Sequence, residues 1–173
     1  MRQNDRRSIL LPALLLCLSC HGPAPHGGNA AQDAQGDGTN ELALAGRVTD
    51  AANILTPHQR TVLTSALAAV ERRAHAQMVI VTVPSLKGRA ISSYARDLGN
   101  RWGIGRRGKD DGVLILLAPN DRQVRIAVGY GLEATLPEAL CQSVIDEQML
   151  PAFRKGQFFE GLSAGVKALD THL

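Results

Sequence analysis

Two adjacent carboxylates, Asp110 and Asp111, stand at the mouth of an apolar run at residues 112–118 that predicts a buried strand. A buried strand gains nothing from two charges beside it, because an unpaired buried charge is costly. The pair is therefore a candidate for chemistry at this end of the predicted sheet.

A hairpin brings a third carboxylate to the same place. The turn "PNDR" at residues 119–122 reverses the chain, and pairing across it predicts that Gly112 lies opposite Gly129. Glu133, four residues beyond Gly129, is then expected beside the aspartate pair. Carboxylates and carbonyls on glycine-hinged loops suit Ca²⁺ better than Mg²⁺, and the lack of a neighbouring histidine or cysteine argues against zinc.

The same pattern has a simpler interpretation. The two aspartates could be solvated groups that make turn hydrogen bonds and a salt bridge to Arg106, Arg107 or Lys109. Spacing alone favours this interpretation over a cation site, since it does not match an EF-hand loop.

The turn after the hairpin supplies candidate binding residues. Gly129 and Gly131 permit positive φ and a close approach of the backbone to a ligand. Tyr130 lies between them, and Arg125 on the preceding strand could face an anionic group such as phosphate. We therefore expect Gly129, Tyr130, Gly131 and Arg125 to line a pocket with the carboxylates.

Periodicity predicts the elements that position these residues. A capping box at Thr56 and Gln59 starts the first helix, and Pro151 is expected to end the helix that begins near residue 137. Cys141 falls within the apolar pattern of that helix and is expected in the core. The predicted order is helix, strand, helix, two strands and two helices, near residues 57–76, 77–84, 89–102, 112–118, 123–129, 137–150 and 158–169.

This order predicts an α/β fold with a small mixed sheet. The strand–helix–strand unit should be parallel and right-handed, and the hairpin that follows should be antiparallel. A continuously apolar strand at residues 77–84 predicts burial on both faces, so helices should cover both sides of the sheet.

The N-terminal part of the chain predicts export and membrane attachment. Residues 1–20 resemble a secretory signal, and their end, "LCLSC", resembles a bacterial lipobox in which Cys20 would be lipidated. Cys17 departs from the residue usual at its position in that motif. Residues 21–41 predict a flexible linker, and residues 42–173 a globular domain. We therefore expect a periplasmic or cell-envelope protein that is held at the membrane through its N-terminal lipid.

Composition argues against nucleic-acid binding. The net charge is +3, but three basic residues and one acidic residue lie in the first ten positions. The remainder is close to neutral, aromatic residues make up only 3% of the chain, and no basic face is apparent.

The globular part resembles the TPM domain family. The segments that carry the resemblance include "AGRVTDAANILTPHQRTVL" and "DDGVLILLAPNDRQVRIAVGYGLEATLPE". The resemblance implies an α/β/α sandwich in an extracytoplasmic or thylakoid-lumen protein. It also implies that Asp50 of the "VTD" motif joins the strand-mouth aspartates in a divalent-metal site, which gives Asp50, Asp110, Asp111 and Glu133 as expected ligands.

Two functions follow from the resemblance and from the residues. The first is a membrane-tethered module that binds Ca²⁺ and supports the maintenance or assembly of envelope membrane proteins. The alternative is a weak metal-dependent acid phosphatase, in which Arg106, Arg107 or Arg125 would face phosphate. No phosphatase signature and no phosphate-binding glycine-rich loop that opens a helix accompany the aspartates, so we favour the module.

Overall fold

The computed structural model of the protein describes residues 42–173. The expected signal segment, Cys20 and the expected linker lie outside the described residues. Within the described part, no helix is long and apolar enough to cross a bilayer.

Four strands and five α-helices make up this part of the chain. The strands are β1 (Val48–Asp50), β2 (Gln77–Thr82), β3 (Gly112–Ala118) and β4 (Gln123–Val128). The helices are α1 (Pro57–Ala74), α2 (Ile91–Trp102), α3 (Glu138–Val144), α4 (Leu150–Phe153) and α5 (Phe158–Asp170), with a 3₁₀ turn at Tyr130–Leu132 and a π turn at Ile145–Met149.

The strands form one mixed sheet in the order β1-β2-β3-β4. The first three strands are parallel, and β4 runs antiparallel to β3. Val113 pairs with Val128 and Ala118 with Gln123, so the register predicted for the hairpin is confirmed. Strand β1 was not predicted, because three residues are too few to show a period.

Helices cover both faces of the sheet, as expected of an α/β/α sandwich. Helices α1, α3 and α5 pack on one face against a core that includes Met78 and Ile80. Helix α2 packs on the other face, against Val79, Val81 and Leu114. The two parallel crossovers step across the sheet in the same direction but place α1 and α2 on opposite faces. They therefore have opposite hands. The right-handed crossover was predicted for β2–α2–β3, and this stays a prediction; β1–α1–β2 has the other hand.

The capping box predicted for α1 is confirmed. The side-chain oxygen of Thr56 accepts from the backbone N–H of Gln59 at 3.2 Å, and the backbone N–H of Thr56 donates to Oε1 of Gln59 at 2.8 Å. This exchange fixes where α1 begins and so fixes the loop that joins it to β1.

The prediction that Pro151 ends its helix is wrong. The helical path continues to Phe153, because a π turn at Ile145–Met149 precedes the proline. The backbone N–H of Leu150 bonds to the carbonyl of Ile145, five residues back. Proline lacks an N–H and crowds the carbonyl four residues before it, and the wider turn gives that ring room without breaking the helix.

Candidate binding cleft at the end of the sheet

An open cleft of about 890 Å³ lies between α2 and the segment that follows β4. The floor is formed by small or apolar residues of α2, β3 and β4, and polar side chains stand along both walls. Five of the residues predicted from the sequence line it: Asp110, Arg125, Gly129, Tyr130 and Glu133. The hairpin register therefore located the cleft correctly.

Two carboxylates of the cleft, Asp110 and Glu133, have no hydrogen-bond or ion-pair partner among the residues that the structure describes. Both residues are exposed. Asp110 adopts a left-handed backbone with φ of 50°, a conformation that aspartate tolerates better than most residues do. That conformation separates the directions of the adjacent aspartates, so Asp110 lines the cleft while Asp111 does not.

Asp111 is buried and bound to Arg106. Its oxygens accept from the backbone N–H of Arg106 at 2.7 Å, from Nε at 2.6 Å and from Nη2 at 2.5 Å. Burial alone would raise the pKa of Asp111, but the hydrogen bonds and positive charge of Arg106 outweigh it and hold the pKa below the usual 3.8. The salt-bridge interpretation is thus confirmed for Asp111 with Arg106.

Acid should weaken this ion pair in a defined window. A lowered folded-state pKa means that Asp111 stabilises the fold above its unfolded pKa of about 3.9 and loses this contribution as pH falls through the lower folded value. We expect the stability advantage of the wild type over Asp111→Asn to stay constant from pH 7 to 5 and to shrink below about pH 4. Urea unfolding at each pH measures the difference, and an advantage that persists undiminished at pH 2 to 3 would contradict the assignment.

The glycines after β4 allow another segment of the protein's own backbone to pack closely against them. Neither has positive φ: Gly129 has φ of −73°, and Gly131 is also outside that region. A Cβ at Gly129 would overlap the carbonyl oxygen of Asp110, and one at Gly131 would overlap that of Lys109. The backbone N–H of Gly131 donates to Asp110 O at 3.1 Å. The close approach predicted at these glycines exists, but it is to the loop at residues 109–110 rather than to a ligand.

Asp50 lies at the other end of the sheet. It pairs with Thr82 at the end of β2, whereas Gly112, next to the aspartate pair, is aligned with Gln77 at its start. Five steps along the strand, at about 3.3 Å each, lead from Gln77 to Thr82, or roughly 16 Å. Asp50 and the strand-mouth aspartates therefore cannot bind one ion in this arrangement. The expectation that four carboxylates share one metal site is wrong.

The carboxylate of Asp50 organises the loop between β1 and α1. It accepts from the backbone N–H groups of Ile54 at 3.2 Å and Leu55 at 3.0 Å, and from the hydroxyl of Thr82 at 2.5 Å. Nη1 of Arg60 lies 3.5 Å from its Oδ2. With a side chain only 1% exposed, Asp50 fills a structural position at the end of β1.

Arg125 is held by a residue that the sequence analysis did not single out. Its two terminal nitrogens bind both oxygens of Glu138, at 2.5 Å and 2.9 Å. Nε of Arg125 is buried without a hydrogen-bond partner in the described structure. The pair closes one side of the cleft and leaves Arg125 largely engaged within the protein.

The residues of α2 that line the cleft were also not predicted from the sequence. Ser92, Arg96 and Asn100 recur every four residues and line the cleft, with Gly99 beside them. Polar residues at helical spacing on one face were the available signal. Because the same pattern is usual on any solvated helix face, it did not point to a site without the position of β4.

The carboxylates of the cleft do not form a complete metal site. No group of three or more histidine, cysteine, aspartate or glutamate side chains that could hold an ion occurs within residues 42–173. Of the four expected ligands, only Asp110 and Glu133 line the cleft, whereas Ca²⁺ takes six to eight oxygens. The donor set therefore fits Ca²⁺ only in part.

Cys141 is buried in the core, as expected. Burial, and then the negative charge of Glu138, raises the pKa of its thiol to about 11. A thiol with that pKa is protonated at neutral pH and is not a nucleophile of this cleft.

Solved structures share this fold. The N-terminal domain of a protein from P. gingivalis is 36% identical, with a TM-score of 0.69 over 73% of this chain and 80% of its own. The N-terminal domain of a Corynebacterium glutamicum protein has a TM-score of 0.60 at 16% identity, over 75% of this chain and 80% of its own. A protein of the psychrophilic bacterium Bizionia argentinensis has a TM-score of 0.61 at 18% identity, over 69% and 81%.

Sequence comparison assigns the family. No curated protein sequence matches this chain. The TPM domain model matches residues 48–172, from the start of β1 to two residues beyond the last helix. The chain therefore belongs to the TPM domain family.

Proposed function

We propose that this TPM domain is an extracytoplasmic binding module that supports the maintenance or assembly of envelope membrane proteins, and that the cleft holds its partner. One observation carries the proposal: the cleft is open, and its carboxylates Asp110 and Glu133 are unpaired within the described structure. Tyr130, 83% exposed, stands beside them. Exposed aromatic groups at the edge of a concave surface are typical of binding sites.

Binding fits the arrangement of the arginines better than phosphate hydrolysis does. A phosphatase needs cationic groups that are free to neutralise the charge developing on phosphate. Arg125 is bound to both oxygens of Glu138, and Arg106 is bound to the buried Asp111. Both of these guanidinium groups are engaged within the protein, and Arg107 does not line the cleft. Arg96 on the α2 wall is the remaining arginine of the lining. One arginine beside an incomplete metal site supplies little charge neutralisation for phosphate, so we place the phosphatase alternative second.

The unpaired carboxylates favour a cationic group in the cleft. That group is either Ca²⁺, ahead of Mg²⁺, or the basic side chain of a bound protein. For Ca²⁺, Asp110 and Glu133 would supply the carboxylate oxygens, and other donors would have to come from carbonyls, water or the partner.

We also propose that the domain works close to a membrane, held by lipid on Cys20. The observations behind this are the lipobox-like sequence that ends at Cys20 and the low-complexity linker that follows it. A tether of that kind would keep the cleft near membrane proteins without fixing its orientation.

A photocrosslinker placed at Tyr130 of the full chain, in its native envelope, tests the proposed function. We expect a defined set of envelope proteins to be crosslinked. The double variant Asp110→Asn/Glu133→Gln should reduce the yield by about tenfold, because the cleft loses its two unpaired negative charges. Glu160→Gln, an exposed carboxylate of α5 away from the cleft, is the matched control and should keep the full yield.

A second arm of the experiment tests the tether. Cys20→Ala should move the protein from the membrane to the soluble fraction and remove the crosslinks to membrane proteins.

Equal crosslinking by the wild type and the double variant would show that the cleft is not the binding surface.

A further inference from the structure

Gly99 of α2 is a glycine that the fold does not explain. Every other glycine within residues 42–173 either has positive φ or would bring a Cβ into contact with another part of the protein. In α5, for example, a Cβ at Gly161 would meet Phe153 and one at Gly165 would meet Met149. Gly99 has neither property, since a Cβ there would meet nothing within 4 Å.

A glycine inside a helix destabilises it relative to alanine, because glycine loses more backbone freedom on folding. Gly99 occupies an interior position of α2 with ordinary helical geometry. Its missing side chain leaves the helix backbone bare on the wall of the cleft, between Arg96 and Asn100. Glycine at such a position allows another backbone to approach closely.

The dimensions of this wall suit an extended chain. From Ser92 to Asn100 the helix rises eight residues at 1.5 Å each, or about 12 Å. An extended polypeptide advances roughly 3.3 Å per residue, so about four residues span the wall. A side chain at position 99 would stand near the Asn100 end of that path, about 1.5 Å of helix rise before it.

The opposite wall defines the chemistry of the occupant. Asp110 and Glu133 are unpaired in the described structure, whereas the remaining acidic residue of the cleft, Glu138, is neutralised by Arg125. A basic side chain between Asp110 and Glu133 would complement their charge. Tyr130 offers an exposed ring, on which the face of a guanidinium or the stem of a lysine can pack.

We propose that the cleft binds an extended polypeptide segment of a partner protein, whose backbone lies against Gly99 and whose lysine or arginine side chain enters between Asp110 and Glu133. This inference rests on the proposed function and names the chemistry of the partner. Close backbone contact at Gly99 supplies the position, and the two carboxylates supply the preference for a basic residue.

Panning a phage library of random octapeptides against the full chain tests the proposal. We expect the recovered peptides to be enriched in lysine or arginine. For a selected peptide, Gly99→Leu should weaken binding by about tenfold or more, since leucine keeps the helix but fills the path. Ser93→Leu, an exposed position of α2 that does not line the cleft, should leave the affinity unchanged. Circular dichroism confirms that both variants are folded.

Three results would overturn the inference. The first is a set of recovered peptides that is not enriched in lysine or arginine. The second is an equal loss of affinity with leucine at positions 93 and 99. Either result contradicts the inference but leaves the crosslinking result at Tyr130 intact. Loss of both the peptide binding and the crosslinks would instead reject the proposed function. The third result concerns Ca²⁺. If millimolar Ca²⁺ binds to Asp110 and Glu133 without displacing the peptide, the basic side chain of the peptide does not lie between these carboxylates, and the inference is wrong.

Discussion

Replacing Gly131 by alanine should destabilise the domain by about 3 kcal/mol, because the new methyl group has no space. A Cβ at this position would overlap the carbonyl oxygen of Lys109 and crowd the carbonyl carbon of Asp110. Relief requires the loop at residues 109–110 to move, which breaks the hydrogen bond from Gly131 N–H to Asp110 O at 3.1 Å. Urea unfolding of the wild type and the variant measures the difference.

Gly99→Ala is the matched control for this prediction. The chemical change is the same, but the Cβ at Gly99 would meet open space inside a helix. We expect that variant to be more stable than the wild type by about 0.5–1 kcal/mol. If Gly131→Ala unfolds at the same urea concentration as the wild type, Gly131 does not pack closely against the loop at residues 109–110.

The position of the cleft could be predicted because it depends on local pairing. A short turn between two apolar strands fixes the hairpin register, and that register places Gly112 beside Gly129. The residues on either side of the hairpin then reach the same end of the sheet. For this reason the hairpin register alone is enough to group Asp110, Tyr130 and Glu133, which line the same cleft.

The different environments of Asp110 and Asp111 could not be predicted in the same way. Neighbouring aspartates are chemically identical in the sequence, and their directions depend on one backbone angle, the φ of 50° at Asp110. The ion pair of Asp111 with Arg106 also depends on a loop that glycines hold close to β3: a Cβ at Gly105 would lie 2.7 Å from the nitrogen of Gly112. Contacts of this kind follow from tertiary packing rather than from residue type.

The placement of Asp50 required a strand that the sequence does not reveal. Strand β1 has three residues and joins the sheet by parallel pairing with β2, which no short turn fixes. The family motif identified Asp50 as important without showing which end of the sheet it occupies. Its neighbours Thr82, Ile54 and Leu55 instead assign it to the fold.

This assignment predicts that Asp50→Ala destabilises the domain by about 3–4 kcal/mol even when a chelator removes divalent ions. The substitution leaves the N–H groups of Ile54 and Leu55 and the hydroxyl of Thr82 without their acceptor at a side-chain position only 1% exposed. Each donor that stays buried and unsatisfied costs about 1–3 kcal/mol, and local rearrangement recovers part of the sum. Urea unfolding in EDTA measures the loss.

A half-exposed aspartate provides the comparison for Asp50. Asp97 pairs with Arg89 at 2.5 Å, and its side chain is 46% exposed, so Asp97→Ala should cost about 1 kcal/mol or less. A structural role for Asp50 requires its loss in EDTA to be much larger than that of Asp97. A ligand role requires the opposite pattern: little effect of Asp50→Ala in EDTA, and a difference from the wild type that emerges only when Ca²⁺ is added. The carboxylate of Asp50 already accepts hydrogen bonds from Ile54, Leu55 and Thr82 and lies beside Arg60, so we expect the large loss of stability in EDTA. The motif aspartate then shapes the β1–α1 loop, and the carboxylates at the other end of the sheet remain available to a partner.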